Sequence, residues 1–105
     1  MITVRIFDKA GLLYGFEVTG HSGSAPSGED VVCAAVSSAA YMVANTVTDI
    51  LGFQAEVLTG EALMRLKITD SRSSEAQALL KGFQQHIAAL CGEYPKNIKI
   101  VKGVD

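Results

Sequence analysis

The 105 residues contain only two cysteines, two prolines and no tryptophan, and neither sign of charge dominates: nine Lys and Arg face eleven Asp and Glu. The cysteines, Cys33 and Cys91, lie far apart and form no CxxC pair, which excludes a disulfide framework and gives a metal site no spacing to build on. No metal and no cofactor is therefore expected. The scattered basic residues make no positive face, and an aromatic share of 7% is too small for a base-stacking platform, so nucleic acid is not an expected partner. The opening MITVRIFDKAG alternates like a strand and lacks the apolar core of a signal peptide. The longest uncharged stretch, Val31 to Thr48, is interrupted by Ser37, Ser38, Asn45, Thr46 and Thr48 and reads as too polar for a membrane span. Together these absences predict a soluble cytoplasmic protein whose thiols stay reduced.

Nearly half of the chain is apolar, which excludes a disordered chain, and its length suits one domain over residues 1–105. ITVRIF, residues 2–7, sets Ile2, Val4 and Ile6 against Thr3, Arg5 and Phe7, as a half-buried strand does. Asp8 to Gly11 supplies turn chemistry, and the extended pattern resumes through Val18 to make a hairpin. A helical pattern follows from Glu29 to about Leu51, with Ser27 and Asp30 as a capping-box-like start and Gly52 as its C-cap. FQAEVLTGEALMRLKI predicts a second hairpin turning at Thr59-Gly60-Glu61, and SRSSEAQALLKGFQQHIAALCG a second helix. That helix carries the core stripe Ala76, Leu80, Phe83, Ile87 and Leu90. A short last strand runs from Asn97 to Val101. The order ββαββαβ predicts an α+β fold, a two-layer sandwich of two helices on a largely antiparallel sheet.

The first predicted helix is apolar on most of its circumference, through Val32, Val36, Ala39, Ala40, Val43, Val47 and Ile50. Such a helix needs cover on two sides, one from its own sheet and one from a partner, which predicts a homodimer.

The chemistry-bearing stretch is GHSGSAPSGEDVVCAAVSS, residues 20–38. A thiol at its ordinary value near ~8.5 is only a few per cent thiolate at neutral pH. With Ser27 as the cap, Cys33 falls in the second helical turn, where the helix dipole contributes only a few tenths of a kcal/mol. Activation then needs a cation or base, and His21 is the nearby imidazole. Asp30 and Ser37, at i−3 and i+4, share a helix side with Cys33. Asp30 reads either as the group that orients His21 or as a carboxylate serving the helix start; Ser37 reads either as a hydrogen-bond donor or as a small packing residue. Gly20, Gly23 and Gly28 give the intervening segment the backbone freedom to fold over an extended peptide, and a tolerant surface loop is the plainer reading. A cysteine in an apolar helix is by itself more often packing than chemistry. His86 and Cys91, five positions apart, are accounted for by a solvent-edge imidazole and by packing.

Read as G20-H21-x6-G28-x-D30-V31-V32-C33-A34-A35-V36-S37, the stretch resembles the ribosomal-processing cysteine proteases of bacteria, and the whole chain matches them in length and element order. The resemblance implies an endopeptidase that removes the N-terminal extension of large-subunit ribosomal protein twenty-seven and so supports ribosome assembly. It implies Cys33 as nucleophile, His21 as general base, Asp30 and Ser37 in support, and a substrate loop containing Gly20, Gly23 and Gly28. The implied partners are that ribosomal protein precursor and a second copy of the chain, with no membrane and no direct nucleic-acid contact. The competing expectation is a non-catalytic homodimeric module that binds the ribosome.

Overall fold

A computed structural model describes residues 1–21 and 30–103. Strand β1 (Ile2–Lys9) and strand β2 (Leu12–Thr19) form the first hairpin, with Ile2, Val4, Ile6, Phe16 and Val18 buried on one face. β1 runs two residues beyond the expected end. Ala10 and Gly11, with φ of 54° and 83°, supply the two-residue turn of positive φ that matches strand twist. The second hairpin pairs β3 (Ala55–Gly60) with β4 (Leu63–Ile68). Its turn sits later than expected: Gly60 stays in the strand, and Ala62, at φ 55°, takes the left-handed position. Strand β5 (Ile98–Gly103) lies parallel to β1, giving the sheet order β3-β4-β2-β1-β5 with every other pairing antiparallel. The α+β architecture and the ββαββαβ order stand.

Helix α1 (Val31–Asn45) continues through a π-helical turn, Thr46–Ile50, and stops at Gly52, where φ is 68°. Hydroxyls of Thr46 and Thr48 donate to the carbonyls of Met42 and Ala44, four residues back, at the site of that widened turn. Val31–Ile50 is long and apolar enough to cross a membrane by length and composition, contrary to the expectation from its serines and threonines. Here its stripe of Val32, Val36, Ala40, Val43 and Val47 is buried in the core, while Ser37, Ser38, Asn45 and Asp49 share the exposed side with Val31, Tyr41 and Met42. Ile50, expected in that stripe, is 77% exposed because the widened turn and the chain's exit at Gly52 carry it off the core.

Helix α2 (Gln77–Glu93) follows a 3-10 turn at Ser73–Ala76. Its expected stripe lies on the core: Ala76, Leu80, Phe83 and Ile87 are buried and Leu90 packs at the margin. Phe83 stacks on Phe16 with ring centroids 4.2 Å apart, and full burial of one such ring is worth about 1.5–3 kcal/mol. α2 packs on β2 and β5 and beside α1, and α1 joins β2 to β3, which stays exposed along most of its length.

β2 and β3 are both antiparallel to β4, so they run the same way, and α1 carries the chain back between them. Twenty helical residues rise roughly 30 Å, about the length of the sheet, so α1 begins where β2 ends. At the far end Asp70 ties the start of β3 to the turn before α2. Its carboxylate accepts from the amides of Gln54 (2.9 Å) and Arg72 (3.0 Å) and from the Arg72 guanidinium (2.9 Å). The Arg72 side chain, with those backbone donors, holds the Asp70 carboxyl well below the usual carboxylate range.

Candidate active site

The helix that bears the thiol starts at Asp30, not at Ser27. Asp30 has extended backbone (φ −83°, ψ 104°), and its Oδ1 accepts hydrogen bonds from the amides of Val32 (2.9 Å) and Cys33 (3.1 Å). This is N-capping by a carboxylate, and it places negative charge at the positive end of the helix. Asp30 is 7% exposed and is the buried charged residue among those described. These contacts are those of a helix-start carboxylate, and they grip the backbone of the cysteine itself.

Moving the cap by three residues moves Cys33 from the second turn to the first, three positions after the cap. Negative charge is favoured there by roughly 0.3–1 kcal/mol, more than the few tenths expected from a deeper position. Cys33 is half-buried, packed at the margin of the core with its side chain still reached by solvent. Ser37, one turn on, is exposed on the same side of α1.

His21 is exposed and directly follows β2 and Gly20. Gly20 has a fixed task here. Its φ is 87°, its amide donates to the Ala62 carbonyl (3.0 Å), and a side chain would collide with the Met1 carbonyl. Only glycine turns the chain out of β2 at that crossing without strain. The Met1 ammonium donates to the His21 carbonyl, so the imidazole is carried on backbone held from both sides. Because α1 begins where β2 ends, His21, Asp30, Cys33 and Ser37 all belong to one end of the sandwich. Gly23 and Gly28, together with Ser27, lie outside the described residues.

Three helix-start amides are already engaged: Val32 and Cys33 on Asp30 Oδ1, and Ala34 on the Asp30 carbonyl (3.1 Å). None of the three is open to an incoming oxyanion in this arrangement. The sequence alone did not reveal that spacing, since it depended on which residue caps the helix. Among the described residues no cluster of three or more His, Cys, Asp or Glu side chains could hold a metal ion. Cys91, the second thiol, lies in the last turn of α2 and donates to the Ile98 carbonyl at 3.3 Å.

The family model for cysteine protease Prp matches residues 1–99, and the chain belongs to that family. A curated relative, the ribosomal processing cysteine protease Prp of Bacillus subtilis strain 168, is 28% identical over 108 residues, covering 97% of this chain and 96% of the relative. Among solved structures, the fold matches an essential ribosomal processing protease Prp from S. aureus, in complex with a covalently linked product peptide. The TM-score is 0.88 at 23% identity, over 98% of this chain and 100% of that one. A Streptococcus mutans structure matches with a TM-score of 0.83 at 24% identity, over 100% of this chain and 96% of that one.

Proposed function

We propose that this member of the cysteine protease Prp family removes the N-terminal extension of a large-subunit ribosomal protein, ribosomal protein twenty-seven, with Cys33 as nucleophile and His21 as general base. The observation that carries the reading is the position of Cys33, in the first turn of a helix that starts where β2 delivers His21. The B. subtilis relative is named for ribosomal processing, and the S. aureus protease was crystallised with a peptide, which supports a peptide substrate for this chain.

In this mechanism His21 takes the proton from the Cys33 thiol as sulfur attacks the scissile carbonyl carbon. The tetrahedral adduct collapses, the C–N bond breaks, and His21 passes the proton to the departing amine. Water, deprotonated by the same imidazole, then hydrolyses the thioester and frees the carboxylate product. Asp30 supports by fixing the cysteine backbone, and Ser37 lines the approach to the sulfur. The oxyanion is held by donors other than the Val32, Cys33 and Ala34 amides, each of which already has an acceptor.

The working form is a homodimer in the cytoplasm, each copy being one catalytic domain, with the precursor as partner and no role for nucleic acid or membrane. The exposed apolar residues Val31, Met42 and Ile50 along α1 support a second copy as cover. The test incubates the protein and its Cys33→Ala variant with extended precursor and reads fragment masses. Cleavage by the parent alone is expected. Equal fragments from both, or from neither, return the protein to the class of non-catalytic ribosome-binding modules.

A further inference from the structure

The sheet has two edges, and they are built differently. β5, IKIVKG, carries Lys99 and Lys102, the kind of charge that deters another strand from pairing. β3, AEVLTG, carries one charged residue, Glu56, which faces Arg65 across the hairpin at 4.0 Å. Val57 and Leu58 at its centre are 39% and 42% exposed. A strand edge with apolar side chains, no lysine and no proline is a template for pairing. Among the described residues β3 has β4 on one side and no strand on the other.

That edge is on the side of the fold to which the Cys33 flank of α1 turns. α1 meets α2 along a groove lined by Ala35, Ser38, Ala39 and Met42. At 100° per residue, Cys33, Ser37 and Tyr41 occupy the opposite flank of α1. Because α1 joins β2 to β3 and has α2 on its other side, this flank turns toward the β3 side of the sheet. Val57 stands opposite Leu66, a core residue, so its side chain is on the helix-bearing face; Leu58, opposite Arg65, is on the other. The start of α1 and the end of β3 share one end of the sandwich. A chain laid along β3 would therefore lie on the side of the fold to which this flank turns, with Val57 beside it and Cys33 toward one end.

We propose that the free edge of β3 receives an extended, uncharged segment of peptide substrate as a sixth strand, held by main-chain hydrogen bonds and by alternate apolar side chains against Val57 and Tyr41. The proposal rests on the reading of Cys33 as a peptide-cleaving nucleophile. Strand addition suits a protease because it straightens the peptide and fixes its register, so that one carbonyl is presented to the sulfur.

The test uses an acetylated, amidated ten-residue peptide alternating Leu and Thr. Its binding to the Cys33→Ala protein is compared with binding to Cys33→Ala/Val57→Lys and Cys33→Ala/Leu58→Lys, with amide spectra confirming that each is folded. Val57→Lys is expected to weaken binding about tenfold or more, and Leu58→Lys to change it less than about threefold. N-methylation of successive peptide amides is expected to weaken binding at every second position, the signature of a strand paired on one side. Equal affinities across the variants, loss without that alternation, or no binding to Cys33→Ala at millimolar peptide would overturn the proposal. So would unchanged peptide affinity in a Val57→Lys variant that sediments as a monomer where the parent is a dimer, since a second copy would then own the edge. Cutting of the ribosomal precursor by the parent protein is scored separately. Alternating binding without cutting keeps the edge assignment and removes the catalytic one; cutting without alternation does the reverse.

Discussion

The two cysteines sit at the same end of the sandwich, on helices that run in opposite directions. α1 begins there, two residues before Cys33, with the carboxylate of its cap Asp30 on the Val32 and Cys33 amides. α2 ends there, with Cys91 in its last turn and its thiol donating to the Ile98 carbonyl. Both sulfurs are half-buried. Burial and location are thus shared, and helix polarity separates them: one lies at the pole that favours negative charge and the other at the pole that opposes it. On the proposed reading, helix polarity is what assigns the two thiols different chemistry.

The strongest way to break that comparison is to remove each sulfur in turn. Cys33→Ala is expected to lower precursor cleavage by at least about three orders of magnitude, while Cys91→Ala leaves it within about twofold, as followed by initial rates. His21→Ala should come next, with a loss of about 10²- to 10⁴-fold in kcat, the range of a positioned general base. Comparable rates for His21→Ala and the parent would assign the base to another residue.

Asp30→Ala sharpens the argument about the helix start. Loss of this cap should cost about 1–2 kcal/mol in denaturant unfolding, with cleavage falling in parallel as the backbone of Cys33 loses its anchor. A stability loss with undiminished turnover would make Asp30 purely architectural. The smallest effect belongs to the far end, where Asp70 holds together the start of β3 and the turn before α2. Its folded-state carboxyl is held low, chiefly by the Arg72 side chain, so its contribution is fully present above the ordinary carboxylate value and is lost as pH falls toward the folded value. Asp70→Asn should lower the unfolding temperature at neutral pH, narrow the gap from the parent below about pH 4, and leave turnover unaltered.

Much of this architecture was legible because period-two and period-3.6 patterns are read residue by residue. Ile2, Val4 and Ile6, and the stripe Ala76, Leu80, Phe83 and Ile87, went to the core as their spacing required. Boundaries were less legible. Ser27 and Asp30 are both good caps, and the choice is made by whether a side chain reaches two amides, which spacing does not encode. Ala62 at a left-handed turn position, two residues after Gly60, was equally hidden, since hairpin register decides it. The parallel neighbourhood of β1 and β5 joins the two ends of the chain, and no local pattern announces it. At the site, the residue types and their order were visible. The end of the sandwich they share followed only from the strand order and the direction of α1.

The most direct measurement treats the protein with a peptide chloromethyl ketone spanning the cleavage site and maps the adduct by mass after proteolysis. Alkylation confined to the fragment bearing Cys33, and abolished in His21→Ala, is the predicted result. Equal labelling of Cys33 and Cys91, or labelling at Cys33 no faster than that of a free thiol and indifferent to His21, would contradict the account.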